Sequence, residues 1–423
     1  MKIKKITIYF YILIVSTSIL SAQINTFSPY SRYGLGEIIT NSNGQTNGLG
    51  DIGIGFRYNN QISYINPASY TSQDTMSFIL DLGIKGKYSL FETESDKDQR
   101  LNFYFNHFAF SFPIARWIKS CIGVMPYSNT GYNILNKHYE PDSLLIQYLY
   151  KGTGGINRLF IGTSVEIFKR LSIGANFNYF FGNISNTAII YFPERTDYLN
   201  TMTDYVDNFR GTNFNAGFQY YDKIGKNFRF TIGGIYENKA IIKVTENKKI
   251  INWLGSLNFS DGDTLENSTN DSIKISVPLK YGIGASFEFY NKFTLGIDYS
   301  VQDWTGFNFH TFNQKLNNSN SLNIGLQFIP DKNSYKSYSD HIEYRIGYFQ
   351  SNSFISVNNT NIINRGITLG VGFPMIAGKT KANFAIQLGQ RGDLKKGLIL
   401  ENYATLFMNI TLHDFWFFKR KFD

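Results

Sequence analysis

The feature that most constrains this chain is a two-residue hydrophobic period that starts at Asp74 and returns, segment after segment, to the C-terminus. In Thr75–Tyr88, the residues Met76, Phe78, Leu80, Leu82 and Ile84 alternate with Ser77, Ile79, Asp81, Gly83 and Lys85. Leu171–Gly182 repeats the pattern, and Phe293–Trp304 repeats it again, with Phe293, Leu295, Ile297, Tyr299 and Val301 set against Thr294, Gly296, Asp298, Ser300 and Gln302. Strict alternation marks strands with one apolar and one polar face. The segments come in hairpins, short turn then long polar connection, as at Lys169-Arg170 and Asn291-Lys292. That asymmetry, with about 9–11 residues per tilted span, is the pattern of a transmembrane barrel. We expect residues 75–423 to form an all-β, antiparallel barrel of about fourteen strands, closed by Tyr403–Leu412 with Ala404, Leu406, Met408, Ile410 and Leu412 outward.

Composition agrees. The 423 residues hold 38 Phe and 29 Tyr, only 17% charged residues and one Cys, and mean hydropathy is −0.22, too polar for a bundle of membrane helices. Aromatic girdles and a polar lumen account for both numbers. The single Cys121 excludes an internal disulfide framework. Lys2, Lys4 and Lys5 before the apolar run Ile6–Val15 mark residues 1–22 as a secretory signal. The formal charge of +9 then falls to +6, which solvated loops explain.

Between signal and barrel, residues 23–74 are different. Ser28–Tyr70 carries Gly34, Gly36, Gly44, Gly48, Gly50, Gly53 and Gly55 among six tyrosines and phenylalanines, and ends in Asn66-Pro67-Ala68, a turn signal. Such a stretch has no sustained period and folds compactly only if surrounding walls supply the packing. We expect it to be a plug inside the lumen. Gly48-Leu49-Gly50-Asp51-Ile52-Gly53 matches a dinucleotide fingerprint but lacks the flanking strand and helix, so it is expected to make plug turns.

No constellation of catalysis or metal binding emerges. The five histidines are far apart and are expected at loops and rims, and neither a zinc spacing nor G-x-S-x-G occurs. Asp261, Asp263, Glu266 and Asp271 cluster in Thr245–Asp271, expected to be a long external loop; a second polar stretch, Asn136–Thr153, separates two of the expected strands. Basic residues form no aromatic-interleaved patch, so nucleic acid is not a partner. The residue that stands out is Pro126, which interrupts the third barrel strand and donates no ladder hydrogen bond; it predicts a gap or bulge in the wall.

Asn66-Pro67-Ala68, Met125-Pro126-Tyr127, and the hairpin containing Val277-Pro278-Leu279, Tyr281-Gly282-Ile283-Gly284, Tyr299 and Trp304 together resemble the FadL/TodX family of outer-membrane channels. Ser28-Pro29-Tyr30-Ser31-Arg32-Tyr33-Gly34 is similar to segments of Bacteroidetes outer-membrane proteins. The resemblance implies a fourteen-stranded barrel in a Gram-negative outer membrane, an N-terminal hatch, and passive uptake of hydrophobic or amphipathic small molecules that leave sideways at the third strand. It implies no enzyme activity and no cofactor, with membrane lipid and the transported molecule as partners. Ligand or gate residues are expected at Asn66, Pro67, Ala68 and Pro126, and Arg32, Arg57 and Lys85 are the basic candidates near the lumen. The other reading is a structural barrel within a larger assembly of outer-membrane proteins, without transport.

Overall fold

The computed structural model describes residues 26–40, 42–141, 144–257, 262–307, 316–357, 360–375 and 380–415. The expected signal segment, His310, Asp261 and the aromatic tail beyond Phe415 lie outside them.

One short strand, β1 (Glu37–Ile38), and a single turn of helix, α1 (Gly44–Asn47), precede the barrel. The wall is built from β2 (Ser77–Glu92), β3 (Lys97–Pro113), β4 (Ile118–Tyr139), β5 (Leu145–Ile167), β6 (Leu171–Tyr191), β7 (Asn200–Ile224), β8 (Phe228–Glu237), β9 (Ala240–Trp253), β10 (Asp263–Val277), β11 (Lys280–Phe289), β12 (Phe293–Gln302), β13 (Ser319–Phe328), β14 (Glu343–Val357), β15 (Thr360–Pro374), β16 (Lys381–Arg391) and β17 (Leu400–Phe415). All neighbours are antiparallel, and β17 pairs β2 from Leu400↔Glu92 to Phe415↔Ser77, which closes the ring. β8 and β9 both lie along β7 and continue one another, as β10 and β11 do opposite them, so the wall has fourteen spanning strands. Outward Ile367, Leu369, Ile386, Leu388, Met408 and Ile410 are half-exposed to the hydrocarbon side, while Thr368, Asn383, Asn409 and Thr411 point inward and are buried. No helix among the described residues is long and apolar enough to cross a membrane; the strands do so.

The tight turns fall one residue earlier than expected. Phe168 and Lys169, and Tyr290 and Asn291, all have positive φ, the two-residue geometry whose twist suits antiparallel neighbours.

One expected loop and one polar stretch expected to separate strands are mostly strand. β4 and β5 run through most of Asn136–Thr153, and β9 and β10 through most of Thr245–Asp271. Here β4–β7 reach 22, 23, 21 and 25 residues, against 10 in β12 and β13. The wall therefore stands far above the lipid belt on one side, where both faces meet polar surroundings and alternation fades. The acidic residues expected to cluster there are split up by it: Glu266 pairs with Lys248 at 2.7 Å.

Candidate functional site

The N-terminal stretch lies within the ring, bonded to inward side chains on every side. Asn66 is its deepest fastening. Its side-chain oxygen accepts the Ala68 N–H (3.1 Å), capping the turn Pro67–Ser72, while Nδ2 donates to the carbonyls of Ile54 (2.8 Å) and Phe218 (3.1 Å). This approach requires glycine in the wall, since a Cβ on Gly217 would lie 2.0 Å from Asn66 Oδ1. Pro67 and Ala68 press on β6 in the same manner, at Gly174. The dinucleotide-like glycines do make turns here. Gly50 (φ 71°) donates to Thr368 Oγ1 (2.8 Å), and the Gly53 and Ile54 N–H groups donate to Asp298 (2.6 and 2.8 Å).

Arg57 belongs to this lower floor. Its Nη1 donates to Gln219 (3.0 Å) and Nη2 to Thr71 (2.9 Å), and its guanidinium covers the Tyr221 ring at 3.9 Å. Arg32 instead lies over Tyr150 of β5 at 4.2 Å. Lys85 alone of the three basic candidates faces a luminal cavity, with Nζ 4.6 Å from the Phe407 ring centroid. The structure does not bring these three together into one anion site.

His107 and His413 correct the expectation that all the histidines sit on loops and rims. Both are buried. A bulge between Gly83 and Ile84 turns consecutive Asn106 and His107 inward, and His107 Nε2 lies 3.1 Å from Asp81, which also accepts from Asn409 (2.6 Å), Thr411 (2.8 Å) and the Tyr64 hydroxyl of the plug. It is a structural tie between plug and wall.

At Pro126 the wall changes. β3 pairs β4 only from Phe108↔Val124 to Pro113↔Lys119. Above Val124 the two strands part, and the register of β4 on β5 shifts between Pro126 and Ser128. The N-terminal segment occupies the parting. β1 pairs β4 at Glu37↔Asn129 and Ile38↔Ser128, the Ile39 N–H donates to Tyr127 O (2.9 Å), and the Ser28 N–H donates to Gly131 O (2.8 Å). On the far side Phe27 meets Arg100 of β3 at 5.4 Å. Outward Leu101, Phe103 and Phe105 place this parting at the level of the lipid belt.

β1 is also held from behind. Glu37 lies 2.6 Å from Arg391 and 3.7 Å from Lys87, and both bases reach Glu401, at 3.6 and 2.8 Å. Thr26 donates to the other Glu37 oxygen at 3.2 Å. Burial pushes the Glu37 carboxyl up, but Arg391 and Lys87 outweigh it and hold it well below the usual range. Thr26, Glu37, Lys87 and Arg391 border the cavity of about 260 Å³ that also meets Lys85, Asp51 and Trp304. Beside the cavity an apolar cluster fills the lumen from Trp304, stacked on Phe354 at 4.3 Å, to Tyr127, edge-on to Phe180 at 4.9 Å. The charged cluster escaped sequence reasoning because its members lie at 37, 87, 391 and 401, with no local spacing to betray them.

Comparison with solved structures shows the fold. The chain is similar to the CymD monoaromatic hydrocarbon channel (12% identity, TM-score 0.58, covering 91% of this chain and 99% of that one). It is also similar to the Ralstonia pickettii toluene transporter TbuX (12%, 0.59, 92% and 98%) and a Pseudomonas aeruginosa FadL homologue (10%, 0.60, 90% and 100%). A sequence comparison with curated proteins finds no match. One family model, however, runs along residues 2–423, nearly the whole sequence. The chain therefore belongs to the BamG family, built on a FadL-like barrel.

Proposed function

We propose that this protein is an outer-membrane channel for passive uptake of hydrophobic or amphipathic small molecules, held closed by residues 23–74 and discharging sideways above Val124. One observation carries the reading: the apolar luminal cluster leads to Tyr127, at the point where β3 and β4 lose their pairing. An unpaired backbone is costly in hydrocarbon, so a wall that parts at lipid level needs a cover; β1 is that cover. A ligand leaving there passes into the membrane without crossing the polar surface layer. The long strands face the exterior and the short turns the periplasm. The similar structures, a monoaromatic hydrocarbon channel and a toluene transporter, agree with a hydrophobic cargo.

The test is Pro126→Val, which restores a ladder donor, in a host lacking other such channels. Insertion is checked by heat-modifiable gel migration and uptake by a fluorescent fatty acid. Uptake should fall several-fold with the barrel properly inserted; full uptake by the inserted variant rejects the lateral exit.

A second reading, a structural barrel in a larger outer-membrane assembly, is favoured by the projecting wall of β4–β7 and by a lumen already filled with side chains. Wild-type protein that inserts but moves no hydrophobic probe supports this reading.

A further inference from the structure

On the lipid face of the wall, one row of outward side chains runs across five strands as Tyr348↔Ile367↔Leu388↔Ala404↔Tyr88. Ala404 is its smallest member, and an open groove passes over it between the two tyrosines. Tyrosines at the edge of an apolar band mark the water interface. One row nearer the long-strand end, the outward residues turn polar, as Gln350↔Arg365↔Gln390↔Asn402. Gln350 accepts the Tyr348 hydroxyl (2.9 Å), and Gln390 donates to Asn402 (3.1 Å). Arg365 is exposed and makes no ion pair among the described residues. A guanidinium turned toward lipid calls for an anionic partner, and a headgroup phosphate at the interface is within its reach.

The groove continues past this row into a second hollow, which shares Arg365 and Gln390 with the first and reaches Lys395 and Lys396. The turn Leu394–Lys396 that carries the lysines has a set shape. Asp393 accepts the Lys395 N–H (3.1 Å), Gly397 takes φ 67°, and Leu398 is buried in the luminal cluster. Among the described residues that line the hollow, Asp393 is the one acid, so three bases face a single carboxylate. We propose that this face of β14–β17 and β2 binds one phosphorylated glycolipid of the outer leaflet. An acyl chain lies over Ala404, a headgroup phosphate meets Arg365 and the two lysines, and the Gln390 and Asn402 amides face the sugar. Neither half of the site explains the other: an apolar groove alone would take any chain, and the bases alone any anion. Their continuity along one line, apolar below and cationic above, matches a lipid that carries both. The inference uses the orientation given above, long strands outward, and holds whether or not the barrel transports.

The test uses the full mature chain, delipidated in neutral detergent, with barrel closure checked by heat-modifiable migration. Hexa-acylated diphosphoryl lipid A is titrated in and counted by native mass spectrometry. Wild type should retain one copy, saturably. Arg365→Gln with Lys396→Gln should weaken retention at least about tenfold, as loss of two charged contacts implies. Lys332→Gln with Lys336→Gln, in the connection between β13 and β14 at the opposite rim, should retain lipid as wild type does. Lipid A stripped of its phosphates should bind about tenfold more weakly. Ala404→Trp fills the groove and leaves every base in place; it too should lose the lipid, and it decides the matter if the charge variant does not close. Wild-type retention by a closed variant of either kind, copies that accumulate without saturation, or equal binding of the stripped lipid overturns the proposal. Displacement of lipid A by inorganic phosphate would make this an ion site and overturn it as well.

Discussion

Two parts of the same luminal stretch are fastened in opposite ways. From Asn43 to Ser72 the backbone is pinned to the wall by short polar contacts and by glycines on both sides, as at Asn66 against Gly217 and Gly53 against Asp298. From Ser28 to Thr40 the chain is held by one two-residue strand pairing, a few flanking hydrogen bonds, a shared ion cluster, and Tyr30 and Leu35 buried in the apolar luminal cluster. The lower floor has many contacts of near-fixed geometry, none of which can be lost without stranding a buried group. The upper segment combines apolar burial with an ion cluster shared between Glu37, Lys87, Arg391 and Glu401.

The sharpest way to break the comparison is at Asn66. Asn66→Ala removes the cap of Pro67–Ser72 and leaves the Ile54 and Phe218 carbonyls with one donor fewer, a loss of about 3 kcal/mol for hydrogen bonds stranded in a buried site. Hydrogen exchange should quicken across residues 43–72 while residues 28–40 keep their rate. Equal quickening in both would show the two parts to be one unit.

Acid should act first on the lower floor and only later on the upper segment. A carboxyl held below its ordinary value contributes stability above that value and loses it as pH falls through the depressed one. Glu37, facing Arg391, Lys87, Glu401 and Thr26, therefore keeps β1 seated through pH 5 and releases it only in stronger acid. Burial raises the Asp51 carboxyl, though Lys85 opposes it. Its protonation relieves a buried charge as pH falls through that raised value, so the lower floor should tighten at a milder pH than the one at which the upper segment slackens. Hydrogen exchange of residues 28–40 beside that of residues 43–72, from pH 7 to pH 3 and referred to the unstructured-peptide rate at each pH, should show the second slow while the first holds.

The smallest effect is expected at Arg32. Arg32→Ala removes one cation–π contact with Tyr150, about 0.5–1 kcal/mol at a half-exposed site, and should quicken hydrogen exchange of residues 28–40 by no more than a few-fold. A complete release of β1 would move the anchor from Glu37 to Arg32.

How far the chain could be read in advance follows from what each signal depends on. The barrel was legible in the alternation of strands such as Phe293–Trp304, because lipid outside and polar lumen inside impose a two-residue period on one strand at a time. The break at Pro126 was legible for the same reason: a missing donor is a property of a single residue. The projecting parts of β4–β7, β9 and β10 were not, because a wall with water or polar neighbours on both faces has no apolar side to declare it. Asn66, Pro67 and Ala68 announced a turn, yet that they fasten the plug to β6 and β7 became visible only when Gly174 and Gly217 came against them. The three basic candidates scattered to three places, and the charged cluster at the parting formed instead from residues as distant in the chain as Glu37 and Glu401. Closure of β17 onto β2 makes neighbours of sequence ends, and a charge pair across such a seam carries no trace in the spacing of either segment.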